Sequence, residues 1–131
     1  MSQSIAIMIT ASACHAAGAH TALNFTRSVI QQGFTVECLF FYHEGAMLGS
    51  QLTISPQDEI NLPQSWQQLI TEHNLPAIVC IASGLKRGII DTTEARRYQK
   101  PASSMADSME LAGLGQWIEA VNNADQHIVF A

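Results

Sequence analysis

The chain's 131 residues fit one domain, because domains of about 100 to 150 residues are the commonest and two hydrophobic cores could not both be filled at this length. Hydrophobic residues make up 47% and charged residues 13%, half the roughly 25% of an ordinary soluble domain, so part of the surface is expected to be covered by other subunits. Six Lys and Arg against eleven Asp and Glu leave a net charge of −5, which argues against a chain that grips nucleic acid directly through phosphate-neutralising side chains.

Ile5 to Thr10 is a short continuous apolar run, the pattern of a strand buried on both faces. The residues before it, Met1 to Ser4, carry no positive charge and do not read as a signal peptide. Gly18 to Gln32 places Ala22, Phe25, Val29 and Ile30 at helical spacing and ends at Gly33, a residue suited to a left-handed stop. Thr35 to Tyr42 is a second strand, ending at His43-Glu44-Gly45, where glycine is expected to permit a turn. Ala46 to Leu62 reads as an exposed, irregular loop. After Pro63 a helix runs to about His73 on the face of Trp66, Leu69 and Ile70, and Ala77 to Ala82 is a third buried strand.

Ser83 to Gly88 follows as a crossover, Asp91 to Tyr98 as a short helix with Thr92 or Thr93 near its cap, and Lys100 to Asp107 as a loop. Ser108 to Leu111 is read as a short strand, Leu114 to Val121 as a helix and Gln126 to Phe130 as a last strand. Strands alternating with helices predict an α/β domain spanning residues 1–131, with a mostly parallel sheet of about five strands flanked by helices, flavodoxin-like or Rossmann-like. The apolar runs are far shorter than the roughly 18 residues of a membrane span, so no membrane association is expected.

In such sheets catalytic groups gather where the strands end and the loops diverge. Cys80 lies near the end of the third strand. If Ser83 or Gly84 opens a helical turn, free backbone amides, the helix dipole, Lys86 and Arg87 would together favour a thiolate over a thiol. A small residue packed in a strand accounts for Cys80 equally well. His43, beside Glu44, could orient a partner or move a proton, or could serve only as a turn residue. Three widely spaced cysteines, Cys14, Cys38 and Cys80, make no disulfide framework and suit a reducing, cytoplasmic compartment, with Cys38 assigned to the core. The histidines show no metal spacing with one another or with the cysteines, and neither GxGxxG nor GxxxxGK[ST] occurs, so no metal or organic cofactor is expected. Gly113 and Gly115 are explained by close packing at a helix start.

Three segments carry a resemblance. Cys80 to Ala95 (CIASGLKRGIIDTTEA) resembles the active-site stretch of the DsrE/TusD family of sulfur-relay proteins. Phe40 to Gly45 (FFYHEG) and Leu111 to Ala120 (LAGLGQWIEA) resemble the family's other two signatures, in order and spread over essentially the whole chain. The resemblance implies a sulfurtransferase subunit whose Cys80 takes sulfane sulfur from a small carrier protein as a persulfide and passes it to an acceptor protein. It also implies assembly with two related subunits as a hetero-hexamer. TusD-like members serve 2-thiouridine formation at the tRNA wobble position, and DsrE-like members serve dissimilatory sulfur oxidation.

Ser83, Gly84, Lys86 and Arg87 are then the candidates for stabilising the persulfide anion, and His43 and Cys14 are auxiliary candidates. The sequence departs from the family pattern at Lys86, where arginine is frequent, and at Cys14, which is not expected in the loop after the first strand. Were the first and third strands neighbours, as in a 2-1-3 sheet order, Cys14 could approach Cys80 as a resolving thiol. A non-catalytic scaffold subunit and a small-molecule-binding flavodoxin-like module are the competing readings.

Overall fold

The apolar run at the start of the chain forms β1 (Ser4–Ile9), which pairs in parallel with β2 (Thr35–Phe41) on one side and β5 (Gln126–Phe130) on the other. The structure is a computed structural model and describes residues 3–13 and 17–131. β3 (Ala77–Cys80) pairs with β2, and β4 (Glu110–Ala112) pairs with β3, so the five strands are all parallel in the order β4-β3-β2-β1-β5. The α/β class and the flanked parallel sheet are as the alternation of elements predicts.

The three inner strands, β1, β2 and β3, are buried on both faces, the edge strands β4 and β5 are more exposed, and the period of two divides the side chains between two apolar layers. Ile5, Ile7, Ile9, Leu39, Phe41 and Val79 point toward α1 (Ala17–Gln31) and α2 (Leu62–His73), where Leu23, Val29, Trp66 and Ile70 complete the larger cluster. Phe41 meets Trp66 edge-on with ring centroids 5.3 Å apart. On the opposite face Ala6, Met8, Cys38, Phe40, Ile78 and Cys80 pack with Trp117 and Ala120 of α5 (Leu114–Asn123). Among the described residues no helix is long and apolar enough to cross a membrane.

Local chemistry sets the helix ends. Gly33 ends α1 at φ +86°, a conformation that costs other residues roughly 1 kcal/mol or more. Asn61 caps α2 by accepting the Gln64 N–H at 3.1 Å. Asp91, one residue ahead of the predicted threonines, caps α4 (Thr92–Arg97) by accepting the Glu94 N–H at 2.8 Å.

Three local expectations need correction. The segment after β2 is a 3₁₀ helix, His43–Gly49, with Ala46, Leu48 and Gly49 buried, so only the later part of the expected loop is exposed. The left-handed residue at its start is His43 itself (φ +51°), whereas Gly45 supplies space, because a Cβ there would fall 2.0 Å from the Ile9 carbonyl oxygen. At Gly113 and Gly115 a Cβ would meet open space, so close packing does not explain them.

Candidate functional site

β3 stops two residues earlier than its apolar run suggests, because Ile81 already begins a helix, α3 (Ile81–Arg87). Cys80 is thus both the last residue of the strand and the N-cap of the helix, with φ −56° and ψ 124°. The amides that α3 leaves without an intrahelical acceptor are those of its first turn, Ile81, Ala82 and Ser83, two residues upstream of the predicted start. The Cys80 side chain lies in the layer under α5 and is only 2% exposed.

Gly84 falls in the body of α3, where its role is steric. A Cβ there would stand 2.8 Å from the Ile89 carbonyl oxygen and 3.1 Å from Leu111 Cδ2. α3 then ends at Gly88 (φ +73°), and the cations of its last turn, Lys86 and Arg87, sit against the negative end of its dipole.

Ser83 is buried and ties α3 to the 3₁₀ helix. Its Oγ accepts the His43 N–H at 3.0 Å, and its carbonyl accepts from Arg87 Nη1 at 3.2 Å. The Arg87 guanidinium also donates to Glu44 Oε1 through Nη2 at 2.8 Å and Nε at 3.1 Å. Arg87, expected from the sequence as a candidate for stabilising an anion, is therefore engaged by a carboxylate. The His43 ring is exposed and lies 4.0 Å from the Tyr42 ring, centroid to centroid. The fold thus brings Ser83, Arg87 and His43 together and adds Glu44, whose pairing with a residue 43 positions away has no local sequence signal.

Lys86 turns elsewhere. Its side chain is exposed and lines a groove of about 590 Å³ with Leu85, Gly88, Ile90, Tyr98 and Lys100. Cys38, on the adjacent strand, is buried, and burial pushes its thiol up to about 12, with Glu110 and Glu37 adding to the shift. That cysteine is a core thiol, as read from the sequence. Cys14 lies outside the described residues. The strand arrangement removes the premise for pairing it with Cys80: β2 separates β1 from β3, which puts the two strands about 10 Å apart.

A wholly parallel sheet flanked by helices, with a cysteine at the carboxyl end of a strand and capping a short helix, defines an α/β protein. Residues 3–130 match the DsrE/DsrF-like family, and the chain belongs to it. The resemblance carried by the three sequence segments is borne out.

A Pseudomonas aeruginosa protein named Sulfurtransferase TusD homolog is 39% identical over 88% of each chain. Proteins named Sulfurtransferase TusD from Erwinia tasmaniensis and Photorhabdus laumondii are each 36% identical, over 95% and 98% of this chain and 97% and 98% of their own. These names indicate a sulfurtransferase family. The crystal structure of the ychN protein from E. coli shares the fold, with a TM-score of 0.76 at 17% identity, covering 99% of this chain and 100% of that one.

Proposed function

We propose that this chain is a subunit of a cytoplasmic sulfur relay in which Cys80 carries sulfane sulfur as a persulfide. Cys80, as a thiolate, attacks the outer sulfur of a donor persulfide. The donor S–S bond breaks as the Cys80 S–S bond forms, the donor leaves as a thiolate, and the transferred sulfur keeps its proton. An acceptor thiolate then takes the outer sulfur in the same way and restores Cys80, so the two exchanges involve no net oxidation and need no metal or organic cofactor.

The observation that carries this reading is the position of Cys80, at the end of β3 and the cap of α3, in a chain whose relatives are named sulfurtransferases. The amides of Ile81, Ala82 and Ser83 face the cap end of α3 and suit a sulfur anion there. Ser83 and Gly84 act as the packed body of that turn. Arg87, held by Glu44, acts with His43 to keep α3 against the 3₁₀ helix. The acceptor pathway is proposed to be 2-thiolation of wobble uridine in tRNA, following the TusD-like resemblance of the sequence, with dissimilatory sulfur oxidation as the alternative. Two related family subunits complete the assembly, and the sparsely charged surface suits them, with Leu114, Ile118 and Val129 among its exposed apolar residues.

One observation favours a second reading, a non-catalytic subunit of the same assembly: Cys80 is almost wholly buried. The experiment that separates the two is intact-mass analysis and peptide mapping after incubation with a cysteine desulfurase, cysteine and a small sulfur-carrier protein, with partner subunits present. The relay reading expects one reductant-labile sulfur on Cys80, absent from the Cys80→Ser protein. Sulfur on Cys14 would move the site to the first loop, and sulfur on no cysteine would leave the scaffold reading.

A further inference from the structure

The chain's positive charge is concentrated in one place. Of its six Lys and Arg residues, Lys86, Arg87, Arg96, Arg97 and Lys100 fall within residues 86–100, against only Asp91 and Glu94, although the chain as a whole carries −5. Arg87 is held by Glu44 and Arg97 lies 3.5 Å from Glu94. Among the described residues Lys86, Arg96 and Lys100 make no ion pair, and all three are exposed.

Two of these unpaired cations, Lys86 and Lys100, stand on the rim of the 590 Å³ groove, whose apolar lining is Leu85, Ile90 and the half-exposed ring of Tyr98. A groove with an apolar floor and a cationic rim suits an apolar side chain flanked by carboxylates. It suits a nucleic acid poorly. Few unpaired cations are present, where a phosphate backbone is gripped by roughly 6 to 10 contacts, and the remaining surface of the chain is acidic.

We propose that this groove, bounded by Lys86, Tyr98 and Lys100, docks an extended acidic segment of the protein that exchanges sulfur with Cys80. The identity of that partner rests on the relay reading above. The geometry sets a spacing. Lys86 is six residues along α3 from Cys80, about 9 Å of helix rise, which an extended chain covers in about three residues. The segment should therefore carry an acidic residue about three positions from the residue that bears the sulfur.

The test is fluorescence-anisotropy titration of the full-length chain with a short fluorescein-labelled peptide of alternating glutamate and leucine. The lysine–leucine counterpart and a single-stranded oligouridylate of equal charge serve as comparison probes. The expected result is salt-sensitive binding of the glutamate peptide, unchanged in Cys80→Ser, and weakened about fivefold or more both in the Lys86→Gln/Lys100→Gln double variant and in Tyr98→Ala. These positions are exposed, and circular dichroism verifies that each variant is folded.

Unchanged affinity in either groove variant, equal binding of the lysine peptide, or no binding at all overturns the proposal. Tighter binding of oligouridylate with the same losses overturns it in favour of a nucleic-acid surface. The assay involves no sulfur, so a failed mass experiment with intact peptide binding removes the role of Cys80 and leaves the groove. A positive mass experiment without peptide binding removes only the groove.

Discussion

Replacing Gly84 with Ala sets two effects of similar size against each other at the helix that follows Cys80. Alanine is favoured over glycine inside a helix by about 1 kcal/mol, so propensity alone would make the variant more stable. The new Cβ, however, would lie 2.8 Å from the Ile89 carbonyl oxygen, 3.1 Å from Leu111 Cδ2 and 3.3 Å from Val79 Cγ1. An ordinary carbon–oxygen contact is about 3.3 Å, so the backbone around Ile89 must retreat by about 0.5 Å.

That backbone is not free to move. The Ile89 N–H donates to the Gly84 carbonyl at 2.9 Å, and the Ile90 carbonyl accepts the Ser104 and Met105 N–H groups at 2.9 and 3.0 Å. Overpacking against such a tied segment costs roughly 1–3 kcal/mol, which leaves a net destabilisation centred near 1 kcal/mol, within a range of about 0–2, after the propensity gain. In urea denaturation the midpoint should fall by roughly 1 M with an unchanged slope. A variant as stable as the parent, or more stable, would refute the packing argument and show that propensity decides at this position.

Two further outcomes follow from the same region. Ser83→Ala removes the acceptor of the His43 N–H and should destabilise the chain by about 1–2 kcal/mol, with faster amide hydrogen exchange at His43 as the specific sign; unchanged exchange there would show that the bond does not hold the 3₁₀ helix. The buried Cys38 thiol, held up to about 12 against an ordinary 9.0, makes stability depend on pH in the alkaline range. Between those values the unfolded chain loses a proton that the folded chain keeps. Its contribution is fully present below about pH 9 and falls as pH rises toward 12, at up to about 1.4 kcal/mol per pH unit. Urea midpoints of the parent and Cys38→Ala proteins at pH 7 and pH 10.5 measure this, and the gap between them should change in favour of the variant at the higher pH.

Sequence alone determined most of the elements and their order, the 3₁₀ helix and α3 excepted, because period and punctuation are local. The continuous apolar runs of β1 to β3, the helical spacing of Ala22, Phe25 and Val29, the stop at Gly33 and the proline opening α2 each encode a backbone state within a few residues. The three segments that carry the family resemblance are likewise contiguous, which is why the family and Cys80 as its candidate residue were legible.

What the tertiary structure decided is everything that depends on which distant residues meet. The crossovers put β2 between β1 and β3 and so part these two strands, a choice that strand composition does not encode. The burial of Cys80 depends on α5 arriving from some forty residues downstream, and the diversion of Arg87 to Glu44 depends on the docking of the 3₁₀ helix onto α3. Lys86 and Arg87 are adjacent in the chain, yet a helix turns successive residues by about 100°, so one closes an internal ion pair and the other faces Tyr98 and Lys100 across an open groove.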